Sequence, residues 1–225
     1  MVNIRLKIYG TQKTVQFEPE IVVIAGFTGK DRKTTEAHIK ELSEEGVPVP
    51  ETIPSFYRIQ NDLVTHEDSI RVMSRESSGE VEPVLFVISG KWYIGIGSDH
   101  TARDLERTGI AESKAACRKP VHSEVLEFDY VEKNWEKFIL RSSVAIEGTV
   151  KKYQDGQLLQ IIPVRNIVSD LEKNLGVKLH NSVVFLGTIP ILEGKFVYGN
   201  AYHMEMENPE DGVQLSFKYS VKTME

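Results

Sequence analysis

Residues 80–99 read EVEPVLFVISGKWYIGIGSD, two apolar runs that meet at the turn residues Ser89-Gly90 and carry acids at both outer ends. Runs of this length, rich in Val, Ile and aromatic residues and broken by a Ser-Gly pair, form the two strands of one hairpin. The hairpin therefore gathers three carboxylates, Glu80, Glu82 and Asp99, at one end.

The gathering can be worked out from strand geometry. Side chains two apart on a strand share a face, so Glu80 and Glu82 point the same way. A two-residue loop at Ser89-Gly90 sets Ile88 opposite Lys91 and Glu80 opposite Asp99; a slip to Gly90-Lys91 sets Glu82 opposite Asp99 instead. Either register keeps the three acids on one face, whereas a three-residue loop breaks that parity. Crowded carboxylates repel unless a cation lies between them, and an all-oxygen set suits Mg²⁺, Mn²⁺ or Ca²⁺. The competing reading is a solvated strand face bearing Glu80 and Glu82, with Asp99 capping a helix that starts near Thr101.

Around this hairpin the chain is mainly β. VNIRLKIYG and TVQFEPEIVVIAGF form a hairpin leading into a buried strand, and FYRI, SIRVMS, KFILRSSVAI, TVKKY, NSVVFLGTIP, KFVYGNAYHMEME and VQLSFKYSV read as further strands. TVKKY and LLQII are expected to flank a turn at Asp155-Gly156. Helices are expected over Asp31–Glu45, stopped by Gly46 and the prolines beyond it, over Ala102–Thr108, and over Val164–Leu175, stopped by Gly176. The proline-rich stretch Pro48–Pro54 marks a boundary between a small N-terminal region with a lid-like helix (1–50) and a larger β-rich body (51–225).

Composition narrows the function classes. Acidic residues outnumber Lys and Arg by 33 to 27, and a net charge of −6 offers no general attraction to nucleic acid or to an anionic membrane. No apolar run approaches the ~20 residues of a membrane helix, and the start, MVNIRLKIYG, lacks a signal peptide's apolar core. A cytoplasmic protein is expected. The lone Cys117 permits neither an internal disulfide nor a multi-cysteine zinc site.

Gly97 to Leu105, GSDHTARDL, resembles the N-D-V-[ST]-A-R-D-L signature of fumarylacetoacetate hydrolase-like enzymes, and E-V-E ahead of an apolar strand resembles their paired glutamates. The resemblance continues in order along the chain. Gly26-Phe27 with His38-x-x-Glu41 is similar to the family's G-x-N-Y-x-x-H-x-x-E region, without the Asn-Tyr pair. Phe56-Tyr57-Arg58 stands where the family has F-L-K-P, and Lys114 where it has a lysine ahead of a proline. Asp155-Gly156-x-x-x-Gln160 matches N-G-E-x-x-Q, and Gly187-Thr188-Ile189-Pro190 resembles the G-T-P loop with one residue inserted. His100 replaces an apolar residue and Cys117 an acid, as in a divergent prokaryotic branch.

This resemblance implies a mixed β-sandwich roll, commonly a homodimer, with Glu80, Glu82 and Asp99 holding Mg²⁺ or Mn²⁺. It implies a 2-oxo acid or 1,3-dicarbonyl acid substrate that chelates the metal, and C–C cleavage by hydrolysis or decarboxylation through a metal-stabilised enolate. Hydratase, dehydratase and isomerase reactions share that step, and a metabolite-binding module without a competent base is a different class of answer. Three apart on a helix, His38 and Glu41 share a face, which suits a general-base pair. Lys114 is the candidate for an oxyanion or substrate carboxylate, with Arg58, Gln160, Gly187 and Thr188 as substrate-binding candidates. His100 follows Asp99 on a strand and so points to the opposite face, where packing or hydrogen bonding is its expected role.

Overall fold

The computed structural model describes residues 3–44 and 46–224, with the side chain of His38 outside the description. In chain order the two main sheets are built from β1 (Ile4–Ile8), β2 (Thr14–Phe17), β3 (Ile21–Gly26), β4 (Ser55–Ile59), β5 (Ser69–Val72), β6 (Val81–Ile88), β7 (Lys91–Ser98), β8 (Glu124–Glu127), β9 (Ile139–Ile146), β10 (Thr149–Gln157), β11 (Ser182–Phe185), β12 (Ala201–Asn208) and β13 (Val213–Thr223). The helices are α1 (Arg32–Glu44), α2 (Ile110–Ala115), α3 (Phe128–Lys133) and α4 (Val164–Leu175).

Eight strands form one sheet in the order β2-β1-β8-β7-β6-β11-β3-β4, and five form a second in the order β10-β9-β12-β13-β5. A first core lies between the sheets, joining Leu85, Val87, Ile94 and Ile96 to Leu140, Met204, Met206 and Leu215. A second core draws its residues from every strand of the large sheet, among them Leu6, Phe17, Ile24, Ile59, Val84, Phe86, Tyr93, Val125 and Phe185. Only a sheet that curls over its own face brings residues from both of its edges together in this way. β6 therefore lies between two cores and is buried along its whole length. That is why its sequence runs apolar without alternation. The mixed β roll expected from the sequence is the fold observed.

The hairpin register is the first of the two alternatives: Ile88 pairs with Lys91, and Ser89 and Gly90 take positive φ in a two-residue loop. α4 coincides with its expected span and ends on a left-handed Gly176. Two expected elements are corrected, the turn at Asp155-Gly156 and the helix over Ala102–Thr108. Asp155-Gly156 is no turn, because β10 runs through both residues, paired with Arg141 and Leu140, and the reversal falls at Glu147-Gly148, both at positive φ. The boundary at Pro48–Pro54 does not part the sheet, since β1, β2 and β3 stand in it beside strands from after that stretch. The helix expected over Ala102–Thr108 is one 3₁₀ turn, Arg103–Leu105, followed by α2. No helix is long and apolar enough to cross a membrane among the described residues.

Candidate functional site

The three acids sit where β6 begins and β7 ends. The Asp99 N–H donates to the Glu80 carbonyl at 3.1 Å, one step beyond the Val81–Ser98 pair, so Glu80 and Asp99 stand opposite each other. Glu82 and Asp99 are buried and Glu80 is largely so.

Each acid has its own partners. Glu80 Oε2 accepts from Arg103 Nη2 at 2.6 Å, and the same guanidinium reaches Glu106 at 2.7 Å and Ser78 Oγ at 2.8 Å while lying 3.8 Å over the Phe196 ring. Asp99 Oδ2 accepts from Lys114, and Lys119 Nζ lies 3.0 Å from Oδ1. Glu82 Oε2 accepts the Gly187 N–H at 2.9 Å. Gly187 has φ of 93°, and a Cβ there would collide with Thr28, whose hydroxyl donates to the Leu186 carbonyl. Only glycine delivers this N–H to Glu82.

The electrostatics follow from burial. Desolvation, with Asp99 as the next cause, pushes the Glu82 carboxyl well above its ordinary range. Burial would also raise Asp99, but Lys114 and Lys119 outweigh it and hold the carboxyl well below its usual range. Burial pulls on Lys114 too, and Asp99 and Glu82 reverse the effect and keep it charged. For Lys119 burial wins and its pKa is lowered.

Among the described residues no group of three or more His, Cys, Asp and Glu side chains converges as a metal site. The reason is that Arg103, Lys114 and Lys119 have each engaged one of the outer two acids. The donors nevertheless fit a hard divalent cation in kind. They are all carboxylate oxygens on one patch, and buried Asp99 Oδ1 is met only by Lys119 among the described residues.

The other sequence candidates divide. Lys114 is brought to the centre, with its Nζ 6.0 Å from the Tyr57 ring. Gly187 and Thr188 also reach it, the Thr188 hydroxyl donating to the Val81 carbonyl at 2.8 Å. Arg58 is not brought in: Tyr57 is the β4 residue beside Lys114, so by alternation Arg58 points away, exposed, towards the Glu20 carbonyl. Gln160 is exposed too, and its side chain closes a capping box with Gln157. Glu41 is exposed on α1, and the His38 side chain lies outside the described residues.

Three residues that the sequence did not single out complete the site. Arg103 and Lys119 supply two of its three cations. Buried Gln154 accepts from the Val81 N–H at 2.9 Å and from Ser142, and donates to Thr188 Oγ1 and the Ile189 carbonyl at 2.8 Å each, joining β6 to the 187–189 loop. Arg103 lies inside the A-R-D-L motif, whereas Gln154 and Lys119 carry no spacing signal.

Residues 25–219 match the model of a family described as protein of unknown function (DUF2848). No curated protein matches the sequence. Among solved structures, 2-keto-3-deoxy-D-arabinonate dehydratase complexed with magnesium and 2,5-dioxopentanoate superposes with a TM-score of 0.64 at 15% identity, over 96% of this chain and 78% of that one. A protein assigned to the fumarylacetoacetate hydrolase family from Yersinia pestis CO92 gives 0.62 at 13% identity, over 92% and 94%. Maleylpyruvate hydrolase from Sphingobium sp. SYK-6, in complex with manganese(II) and pyruvate, gives 0.59 at 12% identity, over 92% and 72%.

Proposed function

We propose that this chain, which belongs to the DUF2848 family of proteins of unknown function and carries the fold of fumarylacetoacetate hydrolase family proteins, is a divalent-cation-dependent enzyme acting on a 2-oxo acid or 1,3-dicarbonyl acid. The observation that carries the reading is the gathering of Glu80, Glu82 and Asp99 at one end of the hairpin, Glu82 and Asp99 buried, with Lys119 as the one partner of Asp99 Oδ1 among the described residues. Those three residues would hold Mg²⁺ or Mn²⁺, with Ca²⁺ as a substitute. When bound, the cation supplies Lewis acidity that polarises a keto oxygen and stabilises the negative charge developing there.

The chain's own residues do the rest. Buried, charged Lys114 beside Asp99 offers a cation to a substrate carboxylate or an oxyanion. Gly187 and Thr188, fixed by Gln154, hold Glu82 and the start of β6 in place. The reaction we favour is C–C cleavage by hydrolysis, in which His38 and Glu41 deprotonate the attacking water, or decarboxylation, which needs no such base. Dehydration is the second reading, favoured by likeness to a dehydratase that covers 96% of this chain. We also propose that the protein works as a homodimer, which light scattering would reveal.

The test is Mn²⁺ and Mg²⁺ titration by calorimetry of the wild type and Asp99→Asn, then a panel of oxaloacetate, acylpyruvates and 2-keto-3-deoxy sugar acids followed by loss of enol absorbance. Cation binding lost in Asp99→Asn, with cation-dependent turnover, supports the reading. Equal cation affinity in both proteins overturns the ligand assignment, and binding without turnover on any substrate leaves a binding module.

A further inference from the structure

A line of hydrogen bonds behind the carboxylates has no part in the roles above. Ser98 Oγ is 2.8 Å from Tyr219 Oη, Tyr219 Oη is 2.9 Å from His100 Nδ1, and His100 Nε2 is 3.0 Å from Ser77 Oγ. All four residues are buried. The His100 ring also packs edge-on against Tyr202 and Tyr219.

Both ends of this line touch the site. Ser98 and His100 flank Asp99 in the chain, and the His100 carbonyl accepts from Lys119 Nζ at 2.5 Å, which fixes the lysine paired with Asp99. Ser77 adjoins Ser78, whose Oγ accepts the Arg103 Nε–H and so helps aim the guanidinium at Glu80. Between them lies Gly79, where a Cβ would collide with the Tyr219 hydroxyl and Ser98 Oγ. The network therefore presses directly on the backbone that carries Glu80. The β6–β7 pairing ends at Val81 and Ser98 and the same two chain segments pair again at Ser78 and Thr101, so Glu80 and Asp99 stand in the break between two ladders, against which the side chains of this network pack.

We infer that His100 and Tyr219 are positioning residues that set the separation of Glu80 and Asp99 and thereby the affinity of the three acids for a divalent cation. The inference rests on the reading of those acids as cation ligands. A neutral imidazole donates through one nitrogen and accepts through the other, so an apolar side chain at position 100 takes the imidazole partner from the Ser77 hydroxyl and leaves Tyr219 Oη with Ser98 alone. Groups that orient metal-binding side chains from behind are worth about 10–100-fold in metal affinity.

The experiment compares wild type, Tyr219→Phe, His100→Phe, His100→Gln and the Tyr219→Phe/His100→Phe double variant. It reads Mn²⁺ affinity by calorimetry, the carboxyl carbon-13 resonances of Glu80 and Asp99 in cation-free protein, and the thermal midpoint. Affinity is expected to fall about tenfold in Tyr219→Phe and at least as far in His100→Phe, with the double variant no weaker than the weaker single. His100→Gln, which keeps a donor and an acceptor, recovers part of the loss, and both carboxyl resonances move although neither acid is altered. A lowered midpoint with unmoved resonances and affinity within twofold of wild type overturns the inference. If wild type takes up no Mn²⁺, the functional reading falls, and the positioning role stands or falls on the resonances alone. Tyr219→Phe, which keeps the ring, carries the test if His100→Phe does not fold.

Discussion

Glu80 and Asp99 face each other across the mouth of one hairpin, joined by a 3.1 Å backbone hydrogen bond, yet their carboxylates are neutralised by different cations. Glu80 answers to Arg103, which also serves Glu106, and Asp99 to Lys114 and Lys119. The site is thus a buried arrangement of alternating charge, in which removing one member leaves another uncompensated.

Arg103 makes the clearest case for stability. Its side chain is 5% exposed and holds two carboxylates that are each 14% exposed. Breaking a buried pair by deleting one partner costs about 3–5 kcal/mol, because the remaining charge is stranded. Arg103→Met is expected to destabilise by that amount in urea denaturation, and Arg103→Lys by somewhat less, since an ammonium cannot fork between Glu80 and Glu106. A loss below about 1 kcal/mol, the range of a surface pair, would mean that water screens these carboxylates.

The pH dependence turns on Glu82 and Asp99, whose shifts have opposite signs. Glu82 is raised above its ordinary 4.5 by burial first and Asp99 second, so its contribution is full below the unfolded value and is lost as pH rises through the folded one. Asp99 is lowered from 3.8, so its contribution is present above that value and is lost as pH falls towards the folded one. Glu82→Gln should therefore grow more stable relative to wild type as pH climbs from about 4.5 towards the raised value, by urea midpoints in chelator-treated protein. A difference that stays flat with pH would show that Glu82 titrates alike in the folded and unfolded chain.

Cys117 is buried, and desolvation lifts its thiol to about 11. So little of it is thiolate at neutral pH that it serves neither as nucleophile nor as ligand. Cys117→Ser is expected to keep most of the activity; a fall in turnover beyond about a hundredfold, roughly 2.7 kcal/mol, would make the mechanism covalent.

What could be read in the sequence was what local geometry decides. A Ser-Gly loop, strand parity and the counting of residues outward put the three acids on one face in either of two registers, of which the one with Glu80 opposite Asp99 is observed, and the apolar runs on either side marked the two strands. Asp155-Gly156 misled because turn-forming residues also occur inside strands where space is short: a Cβ on Gly156 would meet Gln160 and Ile189. Arg58 misled because the residue beside Lys114 is its neighbour Tyr57, and which face of β4 turns inward depends on the curl of the sheet. Gln154 and Lys119 were invisible for a related reason. Their partners lie far along the chain, at Val81 and Thr188 for the first, and nothing local separates a buried polar residue from an exposed one.

The His38–Glu41 pair distinguishes hydrolysis from reactions that need no attacking water. Both residues lie on α1, three apart, and Thr35 and Ile39 are the buried residues of that helix near them. A general base contributes about 10²–10⁴-fold, so His38→Ala should cut hydrolysis of an accepted acylpyruvate by that factor while Mn²⁺ affinity stays at the wild-type value. Glu41→Ala should act in the same direction but less, because the imidazole would remain, and the double variant should be no slower than His38→Ala if the two act as one unit. Loss of hydrolysis with decarboxylation or dehydration intact would assign those reactions to the carboxylate cluster and Lys114 alone. Wild-type hydrolysis in both single variants would remove α1 from the chemistry.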